Sequence, residues 1–101
     1  MLRDEAQGGH GHRTHWRAGV LDYDFIWDEG PGGNVEHIAL HDLTPEDVID
    51  AFHNVERHTI SRSSGLPAII GYTAEGDRIF VPYRRIDATT VYPETAYRIE
   101  R

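Results

Sequence analysis

Residues 67–86 read PAIIGYTAEGDRIFVPYRRI, and they contain two strand patterns separated by a turn signal. The segment 67–74 is a near-continuous apolar run, which is typical of a buried strand, and the EGD at 75–77 is a tight-turn signal. The segment 78–86 predicts a second strand, in which Pro82 indicates an edge position or a bulge because proline donates no ladder hydrogen bond. Two strands joined by so short a turn pair antiparallel, so the stretch predicts a β-hairpin.

Two more strands are predicted around this hairpin. RHTISR (57–62) precedes it and TVYPETAYRIE (90–100) follows it, with Pro93 indicating irregular pairing. The linking stretch SRSSGLP (61–67) is either a phosphate-binding loop or a hairpin turn. Phosphate loops are glycine-rich and lead into a helix, whereas this stretch has one glycine and strands on both sides. We therefore interpret Ser63–Gly65 as a bend, and the short connections predict a four-stranded antiparallel meander.

The N-terminal half of the domain predicts one strand and two helices. LDYDFIWDE (21–29) alternates apolar and polar residues, as a half-buried strand does. NVEHIALHD (34–42) predicts a short helix with Asn34 as its N-cap, and TPEDVIDAFHNV (44–55) predicts a helix that starts with a capping box. The order β-α-α-β-β-β-β predicts an α+β fold, in which two helices pack on a twisted antiparallel β-sheet.

Residues 1–20 predict a flexible N-terminal tail, ahead of a single domain over 21–101. They are rich in glycine, histidine and charge, and they show no apolar periodicity. His10, His12 and His15 lie close together in this stretch, and the alternative is that they bind a metal ion.

The charge of the chain is acidic and unevenly distributed. All 10 basic residues are arginine, and they stand against 17 Asp+Glu, for a formal net charge of −7. The segment 22–56 has acids and no arginine, whereas 57–101 is mildly basic. An acidic chain is a poor general nucleic-acid binder, so direct DNA binding is not expected. The asymmetry predicts either two faces with two partners or a solvated acidic helical surface.

Composition also bears on location. No apolar run approaches the length of a membrane span, and no apolar stretch follows the N-terminal charges as in a secretory signal. Cysteine is absent, which excludes disulfides and thiolate metal sites. We therefore predict a cytoplasmic protein with no membrane partner.

The order of several short motifs resembles that of the BrnT-like toxins. The first half of the domain carries three such motifs in sequence: FIWDE (25–29), then Asn34, His37 and His41, then LTPEDV (43–48). BrnT-like toxins similarly have a Trp-Asp strand end, a helix that carries Asn and ends in a conspicuous His, and a Ser/Thr-capped acidic helix. SRSSGLPAIIGYTAEGDRIFVPYRRID (61–87) resembles their second half, and the resemblance covers about 22–100.

The resemblance implies the toxin half of a type II toxin–antitoxin pair with a RelE/ParE-like fold. It also implies ribonuclease activity on messenger RNA and a cognate antitoxin, expected to bind DNA, that neutralises the toxin. The sequence departs from the family pattern in two respects. Residues 28–56 lack the Lys or Arg that family members carry near the first helix, and the chain is acidic where many such toxins are basic.

Three residues are the candidate catalytic groups. RNA cleavage without a metal needs proton-transfer groups and cations around the phosphate. His41 is the candidate acid/base because imidazole titrates near neutral pH, and its alternative role is to interact with the helix carbonyls. Arg62 and Arg84 are the candidate phosphate-binding residues because the guanidinium fork matches phosphate.

Four further residues are predicted to bind RNA by charge or stacking: Arg78, Tyr83, Arg85 and Tyr97. Their alternative is an ordinary role at the edge of the sheet. Trp27 is interpreted as a core residue. His37 and His41 are spaced to share a metal, but no third ligand lies nearby in sequence, so neither a metal nor a cofactor is predicted.

The predicted function is therefore a toxin that acts as a metal-independent endoribonuclease on messenger RNA, with RNA as its candidate substrate. The alternative is a RelE-like protein-binding module that has lost catalysis, which the acidic helical half and the missing lysine favour. A metal-dependent enzyme that uses the histidines is a third option.

Overall fold

The computed structural model describes residues 12–15 and 23–100, and its elements confirm the predicted α+β class. The elements in chain order are β1 His12–His15, β2 Asp24–Trp27, α1 Asn34–Ala39, α2 Pro45–His53, β3 Val55–Ile60, β4 Pro67–Tyr72, β5 Arg78–Arg85, β6 Thr90–Pro93 and β7 Tyr97–Arg98.

The strands form one mixed sheet in the order β1-β2-β6-β5-β4-β3, with β7 also paired to β5. Strands β3 to β6 pair antiparallel in succession, as the predicted meander requires. The prediction of a wholly antiparallel sheet is wrong, because β2 pairs parallel with β6 and Phe25 lies opposite Val91. Two helices and three strands separate β2 from β6 in sequence, so no tight turn sets their relative direction.

Strand β1 lies within the stretch predicted to be a flexible tail. It pairs antiparallel with β2, from His12 opposite Trp27 to His15 opposite Asp24. The edge of β2 offers backbone groups that can pair with a segment of any side-chain pattern. The remainder of the predicted tail, including His10, lies outside the described residues.

The start of α2 has the predicted capping box. The Thr44 hydroxyl accepts a hydrogen bond from the Asp47 N–H at 3.2 Å, and the Asp47 carboxylate accepts one from the Thr44 N–H at 3.0 Å. Pro45 occupies the first turn, where its missing N–H leaves no helical bond unmade. Local sequence therefore fixes where this helix begins.

The start of α1 differs from its prediction. Gly33 is the N-cap, and Asn34 is the first helical residue with a fully buried side chain. The Asn34 side chain accepts a hydrogen bond from the Asp28 N–H at 2.7 Å. It also donates to the carbonyl oxygens of Ile26 at 2.9 Å and Pro93 at 2.8 Å. Asn34 therefore ties the ends of β2 and β6 to the helix rather than capping its own helix.

The core lies between the helices and one face of the sheet. Phe25 and Phe52 pack edge to face with ring centroids 5.2 Å apart, and Trp27 is 3% exposed, which confirms it as a core residue. Helix α2 approaches β4 so closely that a Cβ on Gly71 would overlap the carbonyl group of Ala51. This contact sets the distance between helix and sheet.

The last predicted strand is broken in two. Strand β6 ends at Pro93, and the chain resumes pairing with β5 only at Tyr97. Pro82 lies in β5, which is a central strand, so its predicted edge position is wrong. The Pro82 carbonyl accepts from the Glu94 N–H at 2.9 Å, which places the missing Pro82 N–H on the same side, at the gap between β6 and β7. Because no strand pairs with β5 at this gap, the missing Pro82 N–H leaves no carbonyl of a neighbouring strand without a donor.

No helix within the described residues is long and apolar enough to cross a membrane.

Candidate functional site

The sheet has one face that looks away from the core, and we call it the open face. Alternate residues of a strand point to opposite faces, and Ile69 and Ile79 belong to the core. Ile70 and Phe80, which lie opposite each other in β4 and β5, therefore point to the open face. Tyr97 pairs with Phe80, and their ring centroids are 5.5 Å apart. Two depressions adjoin on this face and share Ser61, Ser63 and Tyr97 in their walls.

The first, the Arg62 depression, has a volume of about 490 Å³. It is lined by two arginines, by hydroxyl groups and by aromatic rings: Arg57, Arg62, Ser61, Ser63, Phe80 and Tyr97. Within the part of the chain that the structure describes, neither arginine takes part in an ion pair. Two guanidinium groups that form no ion pair among the described residues, placed beside hydroxyl groups, suit a phosphate group.

Arg62 lies in the turn that the sequence predicts from SRSSGLP. The Gly65 N–H donates to the Ser61 carbonyl at 2.7 Å, and the Ser61 N–H donates to the Leu66 carbonyl at 2.8 Å. Gly65 has a φ of +77°, which favours glycine at the end of the bend. The hairpin interpretation is confirmed, and the turn presents Arg62 beside the aromatic floor of the depression.

The second, the Arg84 depression, has a volume of about 390 Å³ and adjoins the first. Arg84 and Glu94 line it and form an ion pair with each other. The Glu94 carboxylate raises the pKa of the Arg84 guanidinium, chiefly through their hydrogen bond. The Arg84 side chain is 61% exposed, so a phosphate can reach it. Because Arg84 is already paired with Glu94, that phosphate would compete with the Glu94 carboxylate.

His41 lies beside the site without lining either depression as described. It is exposed in the turn after α1, and its ring centroid is 5.8 Å from that of Tyr97. Its carbonyl oxygen accepts a hydrogen bond from Arg98 at 2.9 Å. Tyr97 is thus in contact with the His41 ring and lines one depression with Arg62 and the other with Arg84.

Arg78 is held in a structural network. Its guanidinium donates two hydrogen bonds of 2.9 Å to the two carboxylate oxygens of Glu56. The Tyr72 hydroxyl donates to the same carboxylate at 2.8 Å. These bonds, Arg78 first and Tyr72 second, lower the pKa of Glu56 from 4.5 to about 2. Arg78 thus joins β3 to β5, and RNA binding would require it to leave this carboxylate.

This network predicts a pH-dependent stability. A carboxylate whose pKa is depressed in the folded state stabilises the fold above its unfolded-state pKa of about 4.5, and the contribution is lost as the pH falls through about 2. Replacing Glu56 with Gln should lower urea resistance at neutral pH, and the gap from the wild type should close as the pH approaches 2. Urea unfolding at several pH values measures this. The exposed Glu75→Gln change is the control, and an equal pH trend in both variants would contradict the assignment.

The positions of the Tyr83 and Arg85 side chains do not suit their predicted RNA-binding roles. Tyr83 is 4% exposed, and its ring packs against Phe52 with centroids 5.4 Å apart. It cannot offer its ring face to a base, because alternation along β5 turns it toward the core. The Arg85 guanidinium lies over the rings of Tyr23 and Tyr83, at 5.9 and 5.8 Å from their centroids. Of the adjacent Arg84 and Arg85, only Arg84 lines the described depressions.

Several lining residues were not predicted to belong to the site. Arg57 precedes the predicted cation Arg62 by five residues, and register puts it on the open face opposite Ile70. The only signal in the sequence was its position at the start of a predicted basic strand. His37 lines the Arg84 depression, although its predicted alternative was to share a metal with His41. Ser61 is buried, with its hydroxyl 3.3 Å from that of Ser63.

The described residues contain no group of three or more His, Cys, Asp or Glu side chains placed to hold a metal ion. Comparison of the chain with protein-family models, curated proteins and solved structures gave no match. The open face is therefore interpreted from its own geometry.

Proposed function

We propose that this protein is a BrnT-like toxin of a type II toxin–antitoxin system with a RelE-like fold. It acts in the cytoplasm as a metal-independent endoribonuclease on messenger RNA. A cognate, DNA-binding antitoxin neutralises it. The proposal rests on the resemblance in motif order described above and on the chemistry of the open face.

The observation that carries the proposal is the pair of adjoining depressions around Tyr97. Arg57 and Arg62 supply cations that form no ion pair among the described residues, and Ser61 and Ser63 supply hydroxyl groups. Tyr97 supplies an exposed aromatic ring at the boundary of both depressions. Single-stranded RNA is recognised by this combination, because its unstacked bases lie on aromatic rings while its phosphates meet arginine.

The basic open face also answers the objection raised by the acidic composition. The segment 22–56, which holds ten of the 17 acids, contains both helices and the start of β3. The residues of 57–101 build most of the open face. RNA therefore contacts mainly the half of the chain in which arginines outnumber acids, and a net charge of −7 does not prevent local binding.

The test is expression of the protein in bacterial cells. The wild type should arrest growth and degrade messenger RNA, and changing His41, Arg62 and Arg84 together to alanine should relieve both effects. Two cations are lost from the phosphate-binding face, so activity on a purified RNA should fall at least about 100-fold. His53→Ala, an exposed histidine at the end of α2, is the control and should stay as toxic as the wild type. A triple variant that remains fully toxic would show that these residues do not carry the activity.

The second candidate is a RelE-like protein-binding module without catalysis. The Arg84–Glu94 and Arg78–Glu56 ion pairs favour it, because two of the predicted RNA-contacting arginines are already neutralised. Expression that neither slows growth nor degrades message, together with stable binding of an antitoxin, would favour this module over the ribonuclease.

A further inference from the structure

His37 has the geometry of a proton-transfer group in the Arg84 depression. It lies on α1, one turn before His41, which follows the helix. It is partly buried and lines the depression beside Arg84, Glu94 and Thr95. Its ring nitrogen Nδ1 lies 3.1 Å from the backbone carbonyl oxygen of Glu94. A backbone carbonyl only accepts hydrogen bonds, so Nδ1 must carry the proton that is donated.

This hydrogen bond fixes which nitrogen is available for chemistry. When the ring is neutral and Nδ1 carries the proton, Nε2 holds the lone pair and can accept a proton. The bond also restrains the rotation of the ring, because the Glu94 carbonyl belongs to the segment that links β6 to β7 and is fixed by the Glu94 N–H bond to Pro82. His41 has no comparable bond to its ring among the described contacts, where its ring only contacts Tyr97.

We infer that His37, rather than His41, is the general base of the site, and that the carbonyl of Glu94 orients it. The inference rests on the proposed function. In the step, His37 Nε2 takes the proton of an RNA 2′-hydroxyl, whose oxygen forms a bond to the adjacent phosphorus. The bond from phosphorus to the 5′-oxygen breaks. That oxygen takes a proton from water in the open depression, and His37 returns its own proton to the same water. The products are a 2′,3′-cyclic phosphate and a 5′-hydroxyl.

The surrounding groups suit this role. Arg84 lies in the same depression and can stabilise the charge that develops on the phosphate once Glu94 is displaced. Arg57 and Arg62 lie in the adjoining depression, where they can hold the neighbouring phosphate of the strand. The two depressions share Tyr97, so two consecutive nucleotides of a single strand can occupy both depressions, with a base stacked on the Tyr97 ring.

The test compares three variants on a short single-stranded RNA, with the 2′-O-methyl RNA of the same sequence as a ligand that has no 2′-hydroxyl proton. His37→Asn keeps an amide that can donate to the Glu94 carbonyl but has no Nε2, so cleavage should fall about 100-fold while binding of the 2′-O-methyl RNA stays at the wild-type value. His37→Gly should lose the same activity and regain part of it when free imidazole is added. His53→Asn changes an exposed histidine at the end of α2 that lines neither described depression, and it should cleave at the wild-type rate.

The outcomes separate this inference from the proposed function. Cleavage by His37→Asn at the wild-type rate, or loss of 2′-O-methyl RNA binding together with cleavage, would overturn the role of His37 while RNA cleavage by the wild type still stood. Failure of imidazole to restore His37→Gly would also count against proton transfer. If the wild-type protein cleaves no RNA at all, the proposed function fails and the general base falls with it.

Discussion

Replacing Gly71 with alanine should destabilise the domain by about 3 kcal/mol or more, at the upper end of the effects of overpacking. A Cβ at this position would overlap the carbonyl oxygen of Ala51, and it would lie 2.9 Å from the Ala51 carbonyl carbon and 3.0 Å from the Asn54 carbonyl oxygen. All of these atoms belong to the main chain of α2 or its C-cap, so no side chain can rotate to make room. The helix would have to lift from β4, which would open the core around Phe52.

Urea unfolding followed by circular dichroism measures this effect. Gly30→Ala is the matched control, because its added Cβ would meet only the Asp28 carboxylate oxygen, at 3.3 Å, and this side chain can shift. Its effect should stay below about 1 kcal/mol, as for most surface changes. If the two variants unfold at the same urea concentration, the close approach of α2 to β4 is not what sets the helix position.

Replacing Asn34 with leucine should destabilise the domain by about 3 kcal/mol, because it leaves three backbone groups without their hydrogen-bond partner. These are the Asp28 N–H and the carbonyl oxygens of Ile26 and Pro93. Leucine has the same number and branching of non-hydrogen side-chain atoms as asparagine, so the change creates no cavity. The ends of β2 and β6, which pair parallel, should become the least stable part of the sheet.

Two further variants test whether the lost hydrogen bonds cause the loss of stability. Asn54→Ala removes an exposed asparagine whose amide donates to the Asp50 carbonyl at 2.9 Å, and it should lower stability by less than about 1 kcal/mol. Asn34→Asp keeps an acceptor for the Asp28 N–H but removes both donors, so it should remain strongly destabilised. Hydrogen exchange at the β2–β6 pair gives an independent measure. Near-normal stability of Asn34→Leu would mean that the amide does not hold these strand ends.

Most of the elements follow from local sequence. The capping box at Thr44 and Asp47 fixes the start of α2, and the hairpin of β4 and β5 follows from a buried apolar run and a tight turn. These features act over a few residues, so the chain needs no distant partner to express them. The predicted helix ends and strand ends are displaced by a few residues, because fraying and pairing at the ends depend on tertiary neighbours.

The role of Asn34 and the direction of β2 could not be predicted from sequence. The position of Asn34 just before a helical pattern predicts an N-cap, but its amide binds backbone groups up to 59 residues away in sequence. The parallel pairing of β2 with β6 likewise joins the two ends of the domain. Such contacts have no local signature, because they depend on which backbone groups remain unpaired once the sheet has formed.

At the candidate site, the pattern of residues was enough to predict that the cations lie in the C-terminal half and that Arg62 lies at a hairpin turn. Tertiary structure alone decided which of these arginines line the site. Arg57 and Arg62 form no ion pair among the described residues, Arg84 and Arg78 are paired with Glu94 and Glu56, and Arg85 lies over two tyrosine rings. The tertiary structure also places His37, rather than His41, in the lining of a depression. The physical reason is that strand register and the packing of α1 set the side on which each residue points, and neither is encoded in the spacing of residues along the chain.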